Sequence, residues 1–206
     1  MSQAAHDPLR MYLVVRRGAF ENLSRAGGLA GAAAVRCVRE FEGDPGLTAW
    51  RPRPGKVVLR ARGGQWRELL DSEERRVVIE GAVAALPPRR RSERGPLLER
   101  MQAMTTELAP PPRAAEADPA KLTYFLNPGI EMSSGKTLAQ IAHAAVMAAG
   151  RHAGWADAGC PAQVVLPDPN DFAQLCRDAD IKVEDAGLTE VAPGTVTVVA
   201  LPPGVG

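Results

Sequence analysis

The stretch from Ser133 to Ala145 constrains the fold more than any other in this chain. Leu138, Ile141, Ala142 and Ala145 recur at helical spacing and form a face of small apolar groups, suited to lying close on a sheet. Ser133 or Ser134 is placed to cap that helix, because a hydroxyl accepts from the free N–H groups of a first turn. Lys136, Gln140, His143 and Met147 fall at i, i+4, i+7 and i+11, so a cation, an amide and an imidazole share a second stripe. Lys136 stands in the first turn, where the helix dipole disfavours a positive charge. A residue that breaks a local rule in this way marks a functional site, unless it is an accidental lysine on a solvated stripe.

Length and composition bound the rest. A chain of 206 residues makes one ordinary domain or two small ones. No apolar run reaches membrane-spanning length, and the N-terminus lacks a signal-peptide layout, so a cytoplasmic protein with no membrane partner is expected. Cys37, Cys160 and Cys176 show neither C-x-x-C nor zinc spacing and read as free thiols. His6, His143 and His152 are too scattered to complete a ligand set, so no metal and no cofactor are expected. The net charge of +1 conceals an asymmetry. Residues 1–113 carry 20 Lys and Arg against 13 Asp and Glu, a net +7, whereas residues 114–206 carry 5 against 11, a net −6. Halves of opposite sign suggest a division of labour or attraction across an interface.

In order, the sequence predicts a strand at 11–16, an Ala/Gly-rich helix at 24–41, a turn at Gly43-Asp44-Pro45-Gly46 and a strand at 56–60. A short helix at 65–71 and strands at 76–79 and 82–86 follow. Arg89, Arg90 and Arg91 open a basic loop before a helix at 96–108, and a Pro-rich linker runs to residue 120. The second half repeats the layout, with a strand at 122–126, the helix described above, a strand at 163–166, a helix at 170–178 and strands at 181–183 and 195–201. In the last strand, alternation puts Thr195 and Thr197 on one side. The two halves read as diverged copies of one β-α-β-α-β-β unit. Their echoes are Tyr12-Leu13 against Tyr124-Phe125, and Ala85-Leu86-Pro87-Pro88 against Ala200-Leu201-Pro202-Pro203.

The Gly-Lys-x3-Gln-x2-His-Ala helix is followed some forty residues later by Asp185-Ala186-Gly187-Leu188-Thr189 and Pro193-Gly194-Thr195-Val196-Thr197. Together these motifs resemble the type II peptidyl-tRNA hydrolase family, over roughly Lys121 to Pro203. The resemblance implies that Lys136, Gln140, His143, Asp185, Thr189 and Thr197 approach one another. It also implies cleavage of the ester between a peptide and tRNA. Family members commonly act as dimers, so the expected architecture is α/β, with two tandem units, each a mixed four-stranded sheet with helices on both faces, arranged as an intramolecular pseudo-dimer or else as a homodimer. The expected domains are a degenerate copy at 1–88, a basic segment, helix and linker at 89–120, and a catalytic unit at 121–206.

Ester hydrolysis needs an activated water, stabilisation of the oxyanion and protonation of the leaving ribose. With no Ser-His-Asp or Cys-His set and no metal cluster in the sequence, direct attack by water is the simplest mechanism. Asp185 is assigned to orient or deprotonate that water, and Lys136 to stabilise the oxyanion. Thr189 and Thr197 are assigned to hold the carboxylate or substrate, and Gln140 to contact the ester or terminal ribose. Thr195 joins the substrate side, as does His143, for which packing is preferred over proton transfer. The family usually has a basic residue where Leu188 stands and an amide where Glu190 stands, changes that weaken the rim towards phosphate. Arg16, Arg17, Arg60, Arg62 and Arg89–Arg91 are candidates to supply tRNA contacts instead. The competing readings are a hydrolase of another acyl ester and a non-catalytic RNA- or protein-binding module.

Overall fold

The computed structural model describes residues 7–105, 108–111, 117–187 and 190–204. The first half comprises β1 (Arg10–Arg16), α1 (Leu23–Glu40), α2 (Pro45–Trp50), β2 (Gly55–Ala61), α3 (Gly63–Asp71), β3 (Val77–Ile79), β4 (Val83–Arg89), α4 (Gly95–Glu99) and β5 (Gln102–Ala103). The second comprises β6 (Leu122–Leu126), α5 (Ser134–Arg151), α6 (Ala153–Asp157), β7 (Ala162–Val165), α7 (Pro169–Asp178), β8 (Ile181–Glu184) and β9 (Val196–Leu201). The chain is α/β, with two mixed sheets in the orders β3-β4-β1-β2-β5 and β8-β9-β6-β7. β1 runs parallel to β2 and antiparallel to β4, and β6 runs parallel to β7 and antiparallel to β9.

Several elements differ from the sequence expectation, which had no counterpart of α2, β5 or α6. The helix expected over 96–108 ends at Glu99, and the first sheet gains a fifth strand. Leu97, Leu98 and Met101 bury against the outer face of that sheet, and Gln102–Ala103 then pair with Arg60 and Leu59 on the open edge of β2. Satisfying that edge outweighs continuing a short helix. Beyond the turn at 43–46 a helix forms, because the Asp44 carboxylate accepts from Gly46 N–H (2.8 Å) and Leu47 N–H (3.1 Å), with Pro45 in the first helical position.

The main core lies between the sheets. Met11, Leu13 and Val15 of β1 face it from one side, and Leu122, Tyr124 and Leu126 of β6 from the other. α1 and α5 fill the space between and pack on each other, and each also touches the other half's sheet, α1 at β7 and α5 at β2. The outer faces are covered by α3 and α4 on the first sheet and by α7, through Phe172 against Val199, on the second. Helices therefore sit on both faces of both sheets. Among the described residues no helix is long and apolar enough to cross a membrane.

Close packing of α1 on α5 rests on small residues. A Cβ at Gly31 would stand 2.8 Å from the Tyr124 hydroxyl and 3.1 Å from Ala145 Cβ. Gly31→Val is therefore expected to destabilise the protein by about 2 kcal/mol through overpacking. In calorimetry this reads as a Tm lowered by roughly 4–8 °C; an unchanged Tm would mean that the helices separate freely.

Candidate active site

The site forms where the first turns of α5 meet the carboxyl end of β8. Ser133 is the N-cap, its Oγ accepting from Lys136 N–H at 3.1 Å. The same hydroxyl donates to Glu190 Oε1 (2.7 Å), while Ser133 N–H donates to Glu190 Oε2 (2.7 Å). Glu190, read from sequence as a change that weakens the rim, thus has a structural task. It ties the loop after β8 to the start of α5 and sets a negative charge at the positive end of the helix. Nothing local in the sequence signals this contact, which spans 57 residues.

Asp185 follows directly on β8. Its N–H donates to Thr195 O (2.9 Å), and its carbonyl accepts from Gly194 N–H (2.8 Å). The Pro-Gly-Thr segment therefore fixes the backbone of Asp185. Gly187 adopts φ +72, and a Cβ there would lie 2.6 Å from Pro193, so the Asp-Ala-Gly turn and the Pro-Gly turn require each other. In this frame Asp185 Oδ2 accepts from Lys136 Nζ and, at 2.5 Å, from Gln140 Nε2, while Oδ1 accepts from Gly187 N–H at 2.8 Å. The side chain of Asp185 is 5% exposed and that of Lys136 14%. Burial pushes the Asp185 carboxyl up, but Lys136, the Gly187 N–H and Gln140 together outweigh it and hold the group below the usual carboxylate value. The carboxylate compensates the ammonium that the helix dipole disfavours.

The remaining sequence candidates fall in several places. Thr189, with Leu188, lies outside the described residues. Thr195 contributes its backbone carbonyl. Thr197 is fully buried, and its hydroxyl donates to Val183 O at 3.1 Å. It is the extra residue of a bulge, because Val183 pairs with Val198 but Glu184 with Val196. That bulge interrupts the strict alternation expected of Thr195 and Thr197. His143 does not reach Asp185 in the described contacts; its Nδ1 lies 2.8 Å from Nζ of Lys56 on β2. Lys56 is missing from the sequence-derived set, since only the packing of α5 on β2 brings the two together.

The candidate arginines split into two groups. Arg16, Arg17, Arg60 and Arg62 gather at the carboxyl end of the parallel pair, where Arg16 pairs with Ala61 and Arg17 N–H donates to Ala61 O. A cavity of about 410 Å³ there is lined by Arg16, Arg17, Arg60, Met104 and Leu108. Leu108 N–H donates to Ser134 Oγ at 3.0 Å, so this basic rim adjoins the N-terminus of α5. Arg89 pairs with Arg10 at the other end of β1, roughly 20 Å away at strand rise. There Arg89 binds Glu74 (2.7 Å), Arg90 donates to Asp7 O (2.6 Å) and Arg91 N–H to Asp7 Oδ1 (2.8 Å). A larger cavity, about 720 Å³, lies away from Asp185 between α1 and the α6–β7 segment. Its charges largely pair off, as Arg25–Glu80 (2.5 Å) and Arg39–Asp157 (2.8 Å).

A lysine and an amide on the first turns of a helix, closed on a strand-end carboxylate, define an α/β protein whose polar centre suits polarising a carbonyl and orienting a water. Residues 120–205 match the family described as Peptidyl-tRNA hydrolase PTH2. The chain is similar to the peptidyl-tRNA hydrolase of Thermococcus sibiricus, with 31% identity over 99 residues covering 41% of this chain and 84% of the relative. It is also similar to those of Thermoplasma acidophilum (34% over 98 residues, 40% and 84%) and Thermoplasma volcanium (33% over 98 residues, 40% and 84%). No solved structure matches. The chain belongs to the type II peptidyl-tRNA hydrolase family, and the residues that place it there are those of its second half.

The lowered Asp185 pKa has a signed consequence for stability. A carboxyl whose folded pKa is depressed stabilises the fold fully above its unfolded value of about 3.9, and that stabilisation is lost as pH falls through the folded pKa. In urea titrations from pH 6 down to pH 2, the stability advantage of the wild type over Asp185→Asn is expected to hold constant above about pH 5 and to shrink below the ordinary carboxylate value. A difference that grows on acidification would contradict the depressed pKa.

Proposed function

We propose that the chain hydrolyses the ester joining a peptide, or an N-blocked aminoacyl group, to tRNA, with water attacking at the Lys136–Gln140–Asp185 centre. The observation that carries this reading is the convergence of those three side chains at the start of α5. Asp185 has two oxygens with about four acceptor positions, of which three are taken, leaving one for a water. Its low pKa makes it a weak base, suited to orienting that water rather than to removing its proton beforehand. As the water oxygen bonds to the carbonyl carbon, negative charge grows on the carbonyl oxygen, and the Lys136 ammonium stabilises it. The carbon–oxygen bond to the ribose then breaks, one water proton ends on the ribose oxygen, the other passes to solvent, and free tRNA and a carboxylate leave. Gln140 is assigned to the ester or terminal ribose, Thr189 to the support of Asp185 or the substrate, and Thr197, buried with its hydroxyl on Val183 O, to holding β8 just before Asp185.

The architecture proposed around this centre is an intramolecular pseudo-dimer of unit 1–88 and unit 121–206, joined by segment 89–120. Shared strand order and sense support it, as do two helices of 18 residues each. Leu13 pairs with Val58 and Ala85 as Tyr124 pairs with Val164 and Ala200, so Leu13, rather than Tyr12, is the counterpart of Tyr124. The caps Asn22 and Ser133 then correspond, and with them Arg25 and Lys136, Leu29 and Gln140, and Ala32 and His143. Even the ion pair has an echo, in which Arg25 meets Glu80 near the end of β3. The tRNA phosphates are assigned to Arg16, Arg17, Arg60 and Arg62, next to the site; Arg89–Arg91 lie at the opposite end of β1.

In release of N-blocked aminoacyl groups from tRNA, Lys136→Ala and Asp185→Asn are each expected to lower kcat by about 100-fold or more. Full turnover in both variants would sink the mechanism. Absent turnover in the wild type, with salt-sensitive tRNA binding intact, would move the protein to the binding-module reading. Arg16→Ala and Arg60→Ala should each flatten the salt dependence of tRNA binding by about one phosphate contact, and Arg91→Ala should leave it unchanged.

A further inference from the structure

Lys56 is a half-buried cation in an unusual setting. It stands near the start of β2, with its ammonium 4.8 Å from the centroid of the Trp50 ring and 2.8 Å from His143 Nδ1. Among the described contacts no carboxylate reaches it. A lysine held between an indole and an imidazole loses part of its hydration without gaining an ion pair, an arrangement that packing alone does not require. The other half demonstrates as much. In the correspondence proposed above, Val58 matches Val164, so the counterparts of Lys56 and His143 are Ala162 and Ala32. Both line the open 720 Å³ cavity. There α1 still packs on β7, with an alanine at each of the two positions beside an open cavity, and the lysine–imidazole pair lies on the side carrying Lys136 and Asp185.

We infer that Lys56 is a positioning residue of the hydrolytic centre, supplied by the N-terminal half, which holds His143 as the neutral imidazole with its proton on Nε2. An ammonium has only donors, so a hydrogen bond between Lys56 and Nδ1 makes Nδ1 the acceptor. A neutral ring then carries its one proton on Nε2 and presents a donor, not a base, along the stripe shared with Gln140 and Lys136. Burial lowers Lys56 well below the usual lysine value, and the indole face opposes that shift by favouring the charged form that this direction of the bond requires. Burial, together with the nearby Lys56 and Lys136, holds His143 well below the usual histidine value, which keeps the ring neutral. His143 is thereby a donor for substrate rather than a proton acceptor, and the N-terminal half is a working part of the site. This inference rests on the hydrolase reading for its kinetic consequence but not for its geometry.

The test combines ring spectroscopy with kinetics on the full chain. Nitrogen-15 spectra of wild-type histidines, assigned by comparison with His143→Asn, are expected to show at pH 7.5 a ring with unprotonated Nδ1 and protonated Nε2. Lys56→Met, which keeps the stem and removes the donor, should turn that signal into a mixture of tautomers. It should also lower kcat roughly tenfold with KM little changed, the order expected for one charge-assisted hydrogen bond acting on the reacting state. Melting of Lys56→Met at or above the wild-type temperature would show that the kinetic loss is not unfolding. A wild-type ring protonated on Nδ1 would overturn the inference even if Lys56→Met failed to fold. A folded Lys56→Met with unaltered kcat would overturn it as well. Wild type without turnover would count against the hydrolase reading alone, since the tautomer is read without substrate.

Discussion

The contact on which the rest of the site depends is the ion pair between Lys136 and Asp185. An ammonium in the first turn of a helix is opposed by the helix dipole and, where the side chain is 14% exposed, is poorly hydrated as well. The chain answers with two carboxylates, Asp185 on the ammonium and Glu190 on the capping serine. Both come from the stretch between β8 and β9, where Gly187 packs on Pro193 and backbone bonds join Asp185 to Gly194 and Thr195. Helix start, turn and last strand thus meet at one buried ion pair, and removing either Lys136 or Asp185 leaves the other charge without its partner.

That unit is held in place by the packing of α1 and α5. Neither sheet encloses its inner helix alone: α5 lies against β8 and β9 of its own sheet and against β2 of the other. Met104, Leu108 and Ala109 tie both halves together, with Met104 N–H on Val58 O, Leu108 N–H on Ser134 Oγ and Ala109 paired with Asn22. Their hydrogen bonds fall near the first turns of both helices.

Much of this was legible in the sequence for identifiable reasons. The cap and two-faced pattern of α5 are local, as are the Asp-Ala-Gly and Pro-Gly turns, and strand alternation fixed most of both sheets. Four features were not legible. Glu190 meets Ser133, and Lys56 meets His143, across 57 and 87 residues, and no periodicity encodes such contacts. The end of α4 at Glu99 is decided by the open edge of β2, not by helix propensity. The bulge at Thr197 inserts a residue that alternation alone cannot anticipate. In each case tertiary pairing overrode a local pattern.

Two sheets of like strand order in one chain also differ from a pair of identical subunits in how they can change. In a symmetric dimer every substitution appears twice, so a group that helps one site is imposed on the other. In the pseudo-dimer proposed above, β2 bears Lys56 where β7 bears Ala162, and α5 bears His143 where α1 bears Ala32. A covalent join lets one face become a dedicated tool and the other its counterweight. It also makes their association intramolecular, so the pairing of Lys56 with His143 is as complete in a dilute cell extract as in a concentrated one.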